Sequence, residues 1–339
     1  MRRLIAWFGR IALVAGLTAL ICLAVLLGYG YAIIRPAPVA AYERPASARD
    51  VGPALAALRG PDGRLDPAAT AAAFAAVDDR LEGVRIVIVP SYFYDLLRWP
   101  NAVGIGDYMT DQRAWLEAQG LATEITAADT EAAVATNAAA LVELVAGSDR
   151  PVCFLSHSKG GLEVLQALVD MAPALRARVR CWIALQAPFA GSPLADVWAG
   201  DPLGRRFVAG LLELMGGSPR SLIDLTTPVR RADLAAHDAA IAEVVEDVPV
   251  LAVAARLTDR EDWLAASPFD LLRRWMEAGG APGDGAVPVN SAILPHARYV
   301  VLQGLDHGDT VDGDRPFGVV VSDDVALMQA LFAIALSDD

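Results

Sequence analysis

Three short stretches carry side chains that together can cleave an acyl bond. Ser158 lies in SHSKGG, Asp284 in GAPGDGAVPVNSA, and His307 in VVLQGLDHGDTV. A serine hydroxyl becomes a strong nucleophile only when a base takes its proton, and a neutral imidazole does this near neutral pH. A carboxylate bonded to the other ring nitrogen fixes the tautomer and orientation of that imidazole. Each residue also has an ordinary reading: a glycine turn, a solvated Asp in an Asp-Gly turn, a histidine on a surface loop. The chain has four histidines, His157, His237, His296 and His307. Only His307 is expected in a loop at the carboxyl end of a strand. His157 adjoins the serine in sequence, but its side chain is expected to point away from it.

These residues need rigid elements behind them. Continuous apolar runs, VRIVIV (84–89), LATEIT, PVCFLS, VRCWIALQ, VPVLAVAA and ARYVVLQG (297–304), read as six strands. Helical patterns alternate with them: GDYMTDQRAWLEAQG ending at Gly120, a helix after Asp129 or Thr130 as N-cap, one after Ser158, and a last one over about 322–336. Strands apolar throughout and alternating with helices predict an α/β fold, a mostly parallel sheet of about six strands covered on both faces. In such sheets the functional crevice lies at the carboxyl ends of the strands. A serine on a sharp strand-to-helix turn needs small neighbours, and Gly160 and Gly161 supply them. The start of the helix then aims free N–H groups at the site, where they can hold an oxyanion.

The 339 residues carry a net charge of −13, and no basic run appears after residue 50, which argues against nucleic acid as a partner. Three cysteines, Cys22, Cys153 and Cys181, are too few for a thiolate zinc site or a disulfide framework. Cys153 and Cys181 fall in predicted strands and lie close if those strands are neighbours, which leaves a disulfide open; small buried hydrophobes are the expectation for both. Residues 1–34 combine Arg2, Arg3 and Arg10 with an uncharged run from Ile11 to Ile34. A run of about two dozen residues is long enough to span a bilayer as a helix, and the positive flank keeps the N-terminus cytoplasmic. A cleaved signal peptide competes, but its apolar region is normally shorter. The expectation is a membrane anchor, a Pro/Ala-rich linker over 35–50, and a main domain over 51–339 that lies in the periplasm or outside the cell. No internal repeat is seen.

With these residues in view, the chain resembles the α/β-hydrolases, and among them bacterial lipases and carboxylesterases. SHSKGG resembles their G-H-S-x-G-G, with Ser156 in place of the first glycine. LQAPFAGSPLAD (185–196) resembles the P-H-x-G-S-x-x-A-D segment after their sixth strand, GDGAVPVNSA their acid loop, and LDHGDTV their histidine loop. The order Ser, Asp, His along the chain is theirs as well. The resemblance covers about 84–196 and 248–311. It implies a Ser158–His307–Asp284 triad, and backbone N–H groups of Tyr92 and Lys159 as the oxyanion hole. The family's His-Gly before the first donor is replaced here by Pro90 and Ser91. The Lys159 side chain is expected to be a solvated cation. Some bacterial lipases hold a structural Ca²⁺; Asp309 matches one ligand position and Asp259 or Asp262 the other. That ligand set is incomplete for a cation wanting six to eight oxygens, so the expectation is no metal and no cofactor.

The stretch from 196 to 247 reads as amphipathic helices, either a cap over the crevice or a plain decoration. Trp263, Phe269 and Trp275 line an apolar pocket or pack in the core. The resulting expectation is a serine hydrolase that cleaves small-molecule or lipid carboxylic esters. The alternatives are an acyltransferase or amidase with the same triad, and an inactive binding protein tethered to the membrane.

Overall fold

The structure is a computed structural model that describes residues 30, 35, 41–92, 94, 108–127, 129–214, 217–259, 267–312, 314–315, 319–320 and 322–338. The expected anchor over 1–34 lies outside the described residues, apart from Gly30. Among the described residues no helix is long and apolar enough to cross a membrane.

Among the described residues, seven parallel strands form one sheet: β1 (Arg49–Asp50), β2 (Arg85–Val89), β3 (Ala122–Ile125), β4 (Val152–His157), β5 (Val179–Leu185), β6 (Val250–Arg256) and β7 (Arg298–Gln303). Their order is β1-β7-β6-β5-β4-β2-β3, so β4 and β5 lie at the centre. The expected count of about six is thus corrected to seven. The extra strand is two exposed residues, joined in register to Arg298 and Tyr299, and it carries no apolar run to betray it.

The helices are α1 (Gly52–Ala57), α2 (Pro67–Ala75), α3 (Thr110–Ala118), α4 (Val134–Gly147), α5 (Lys159–Asp170) and α6 (Pro173–Arg176). They continue as α7 (Pro193–Gly200), α8 (Pro202–Leu214), α9 (Pro219–Ile223), α10 (Thr227–Ala236), α11 (Asp238–Asp247), α12 (Asp270–Ala278) and α13 (Asp324–Leu336). Successive strand residues point to opposite faces, so a continuous apolar strand feeds two cores. Val87, Phe154, Trp182, Ala184 and Ala252 pack with Leu141 of α4, Leu165 of α5 and Val244 of α11. Ile86, Leu155, Ile183, Val253 and Val300 pack on the other face with Phe74 of α2, Leu116 of α3 and Leu331 of α13. This is the α/β arrangement with both faces covered.

Two local expectations are corrected. The helix expected to begin at Asp129 or Thr130 begins at Val134, after Ala133. The Asp129 carboxylate instead accepts from Glu131 N–H in a turn, while Val134 N–H donates to Asp224 Oδ2 at 3.0 Å. A tertiary acceptor thus serves the helix start in place of a local cap. Cys153 and Cys181, expected to be plain buried hydrophobes, stand in register on β4 and β5 with Cα atoms 4.6 Å apart and are joined by a disulfide. Five helices, α7 to α11, fill the stretch between β5 and β6 where a helical insert was expected.

Candidate active site

The site is built at the carboxyl ends of β4, β5 and β6 and in the loop after β7. Ser158 follows β4 directly and precedes α5, with φ 53° and ψ −124°. A positive φ in a non-glycine residue costs on the order of 1–3 kcal/mol and persists only where the surroundings enforce it. Here they do. Ser158 N–H donates to Leu185 O of β5 at 2.9 Å. The glycines then let α5 start hard against the sheet. A Cβ on Gly160 would lie 2.4 Å from Val89 O and 2.7 Å from Pro90 O, and one on Gly161 would lie 2.4 Å from Ala187 Cβ. All three distances are far inside van der Waals contact. The close approach brings Lys159, the first residue of α5, beside the Pro90–Tyr92 loop after β2. As that first residue, Lys159 has a backbone N–H without an intrahelical acceptor. Ser156, which departs from the expected glycine, is fully buried, and its Oγ accepts from Trp182 Nε1 at 2.8 Å.

His307 reaches this turn from the loop after β7. Its Nε2 is 2.9 Å from Ser158 Oγ, and its Nδ1 is 2.8 Å from Asp284 Oδ2. The backbone secures the pair too, since His307 N–H donates to Asp284 O at 3.1 Å. Asp284 is 1% exposed. Its Oδ1 accepts from the N–H groups of Ala286 and Val287 at 2.8 and 2.7 Å, so the loop itself holds the carboxylate. Burial disfavours charge on His307, but the charge and hydrogen bond of Asp284, with the charge of Asp306, outweigh it and hold its pKa above the ordinary histidine value. The ring of Phe269 stands edge-on to His307, with centroids 5.9 Å apart. The structure therefore brings Ser158, Asp284 and His307 together.

Three supporting groups were not foreseen. Gln186, just past β5 at φ 50°, donates through Nε2 to Asp284 Oδ2 and to Asp306 O, both at 2.8 Å, and accepts from Thr310 Oγ1 through its own oxygen. A polar residue closing the apolar run VRCWIAL was a visible signal, of the same kind that marked Ser158. His157 is buried, with its ring 4.9 Å from that of His307 and its Nε2 donating to His307 O at 2.8 Å. Burial first, then the neighbouring His307 charge, push its pKa well below the ordinary value, so it stays neutral. It thus supports the histidine loop from behind.

The third is a correction. The Lys159 side chain, expected to be a solvated cation, is 1% exposed and forms an ion pair with buried Glu163, one turn along α5. Its Nζ also lies 5.6 Å from the centre of the Tyr92 ring. Tyr92 itself is tied through its hydroxyl to Ser221 Oγ on α9, and the preceding Ser91 N–H donates to Tyr108 Oη at 3.2 Å.

The acidic loop is occupied by its own backbone. Asp309 Oδ2 accepts from Asp306 N–H, and Asp306 Oδ1 accepts from Gly308 and Asp309 N–H. Asp259 pairs with Arg273 and Arg274. Asp262 and Trp263 lie outside the described residues. Among the described residues no group of three or more His, Cys, Asp or Glu is placed to hold a metal ion. Trp275 packs with Val197 and Met276.

No family model matches the sequence, and no curated protein matches it. Solved structures do. A metagenomic carboxyl esterase shares 26% identity over 75% of each chain, with a TM-score of 0.57. The mature form of Bacillus licheniformis lipase BlEst2 shares 21% identity over 68% of this chain and 86% of its own, with a TM-score of 0.52.

Proposed function

From the premise that this chain is related to the α/β-hydrolase superfamily, we propose that it is a serine hydrolase of carboxylic esters. The observation that carries the reading is the unbroken line from Ser158 Oγ to His307 Nε2 and from His307 Nδ1 to Asp284 Oδ2, at 2.9 and 2.8 Å. The metagenomic carboxyl esterase, at 26% identity, supports an ester as substrate.

In this mechanism His307 takes the Ser158 proton through Nε2 as Oγ attacks the ester carbonyl. Asp284 holds Nδ1–H and stabilises the imidazolium that forms. The backbone N–H groups of Tyr92 and Lys159 receive the oxyanion, a contribution that in such sites is worth several kcal/mol. The imidazolium protonates the leaving alcohol. Water, deprotonated by His307, then attacks the acyl-enzyme and frees Ser158.

We further propose that residues 1–34 anchor the chain in a membrane with the main domain outside the cytoplasm. The uncharged run from Ile11 to Ile34 supports this, and so does the disulfide between Cys153 and Cys181, since such bonds persist mainly in oxidising compartments. The test of activity is a chain-length series of p-nitrophenyl esters. Turnover that disappears in Ser158→Ala is expected; turnover that survives the substitution sinks the reading. Capture of the acyl group by added alcohol or amine in preference to water would move the assignment to an acyltransferase.

A further inference from the structure

We infer that the buried Lys159–Glu163 ion pair is a positioning device for the oxyanion hole, acting through the contact of the Lys159 ammonium with the Tyr92 ring. The inference rests on the proposed roles of Tyr92 and Lys159 as oxyanion donors.

Helix stability does not explain the pair. Both side chains are nearly inaccessible, at 1% and 4% exposure. Removing an ammonium and a carboxylate from water costs several kcal/mol for each ion, and the mutual attraction often does no more than offset this. The order is also unfavourable. Lys159 is the first residue of α5, at the positive end of the helix dipole, with the acid one turn further in. The favourable arrangement is the reverse, acid first and base later. A chain selecting only for a stable helix start would place neither residue here.

The partners of the pair point instead to the oxyanion loop. Glu163 Oε1 also accepts from Asn137 Nδ2 at 2.8 Å, and Asn137 Nδ2 donates again to Asp129 O at 2.8 Å, so the acid is fixed to α4. Lys159 Nζ is held by that acid and faces the Tyr92 ring at 5.6 Å, within the range of a cation–π contact. The Tyr92 hydroxyl is in turn bonded to Ser221 of α9. One line of contacts therefore runs from α4 through Glu163, Lys159 and Tyr92 to α9. Two residues on that line are the two whose backbone N–H groups would receive the oxyanion. The loop carrying Tyr92 lacks the His-Gly that the resemblance led one to expect, and the ammonium bracing its ring compensates for that change. A displacement of about 1 Å at such donors is enough to matter for rate.

The test compares the full-length wild type with Lys159→Met/Glu163→Leu, which replaces both charges by apolar groups of similar length. Such replacements are commonly neutral or stabilising. The expected result is an unchanged or higher Tm, KM close to wild type, and kcat lower by about tenfold or more, short of the 10²–10³-fold loss typical of a deleted donor. A kcat equal to wild type would overturn the inference. Tyr92→Leu serves if the double variant does not fold: it leaves the backbone N–H and the ion pair but removes the ring, and the same loss in kcat at constant KM is expected. A wild-type kcat in that variant overturns the inference equally. A crystal structure of either variant gives a readout independent of activity. The backbone at residue 92 is expected to move by about 1 Å relative to Ser158, and an unmoved backbone contradicts the inference. Absence of ester hydrolysis in the wild type would instead fail the functional reading, with the structural readout still deciding this one.

Discussion

Gln186 Nε2 donates to Asp284 Oδ2 at 2.8 Å, and His307 Nδ1 lies 2.8 Å from that same oxygen. The acid is therefore aimed by a neutral amide just past β5 as well as by its own loop. Gln186→Leu leaves Thr310 Oγ1 without this acceptor, at a cost of about 1–3 kcal/mol for a buried polar group left unsatisfied. Urea denaturation should show that loss. The kcat should fall by about tenfold, because Asp284 can rotate away from His307. A stability loss with full activity would show that the loop alone aims the acid.

In the proposed mechanism His307 is the base, so its protonation sets the acid limb of activity. It must be neutral to act, and Asp284 favours its charged form. The kcat/KM profile should therefore fall on the acid side with an apparent pKa above about 6.5, the ordinary histidine value. In Asp284→Asn the small residual activity should show that limb at lower pH.

His157 acts in the opposite sense on stability. Its pKa is depressed in the fold by burial and by His307, so below about pH 6.5 the unfolded chain binds a proton that the folded chain refuses. Its contribution to stability is thus complete above that pH and lost as pH falls, at about 1.4 kcal/mol per unit. His307, with a raised pKa, contributes stability that is complete below about pH 6.5 and lost as pH rises above it, so its slope lies outside the window of His157. His157→Asn should therefore show a flatter decline of Tm between pH 7 and 5 than the wild type. Parallel declines would mean that His157 is already protonated in the fold.

The disulfide closes a loop between residues 28 apart. The chain-entropy relation assigns such a loop roughly 3–4 kcal/mol. Thermal unfolding under reducing conditions should occur at lower temperature than under oxidising ones. Alkylation of the denatured, unreduced chain should modify one of the three cysteines, Cys22; modification of all three would show the pair reduced.

How much of this was legible in the residues depends on how local each cause is. Ser158 and His307 could be read because each follows an apolar run with small or polar residues, and Asp284 because Gly283 and Gly285 bracket it in a Pro/Gly-rich loop. Gln186 carries the same signal, but in sequence its polar side chain is indistinguishable from an ordinary strand end. Lys159 was misjudged because lysine is rarely buried, and the partners that make burial tolerable come from α4, from the loop after β2 and from one turn further along α5. The β1 strand escaped notice because its two exposed polar residues carry no apolar run. The start of α4 moved for a comparable reason: Asp224, far along the chain, supplies the acceptor that Asp129 was expected to provide.

The central claim is that Ser158 is a nucleophile activated by His307, and a fluorophosphonate probe reads it directly. Intact-mass and peptide analysis of the full-length protein should show one adduct, on Ser158. It should form slowly or not at all in His307→Ala and be absent in Ser158→Ala. No adduct on the wild type, or an adduct that persists in Ser158→Ala, would contradict the account.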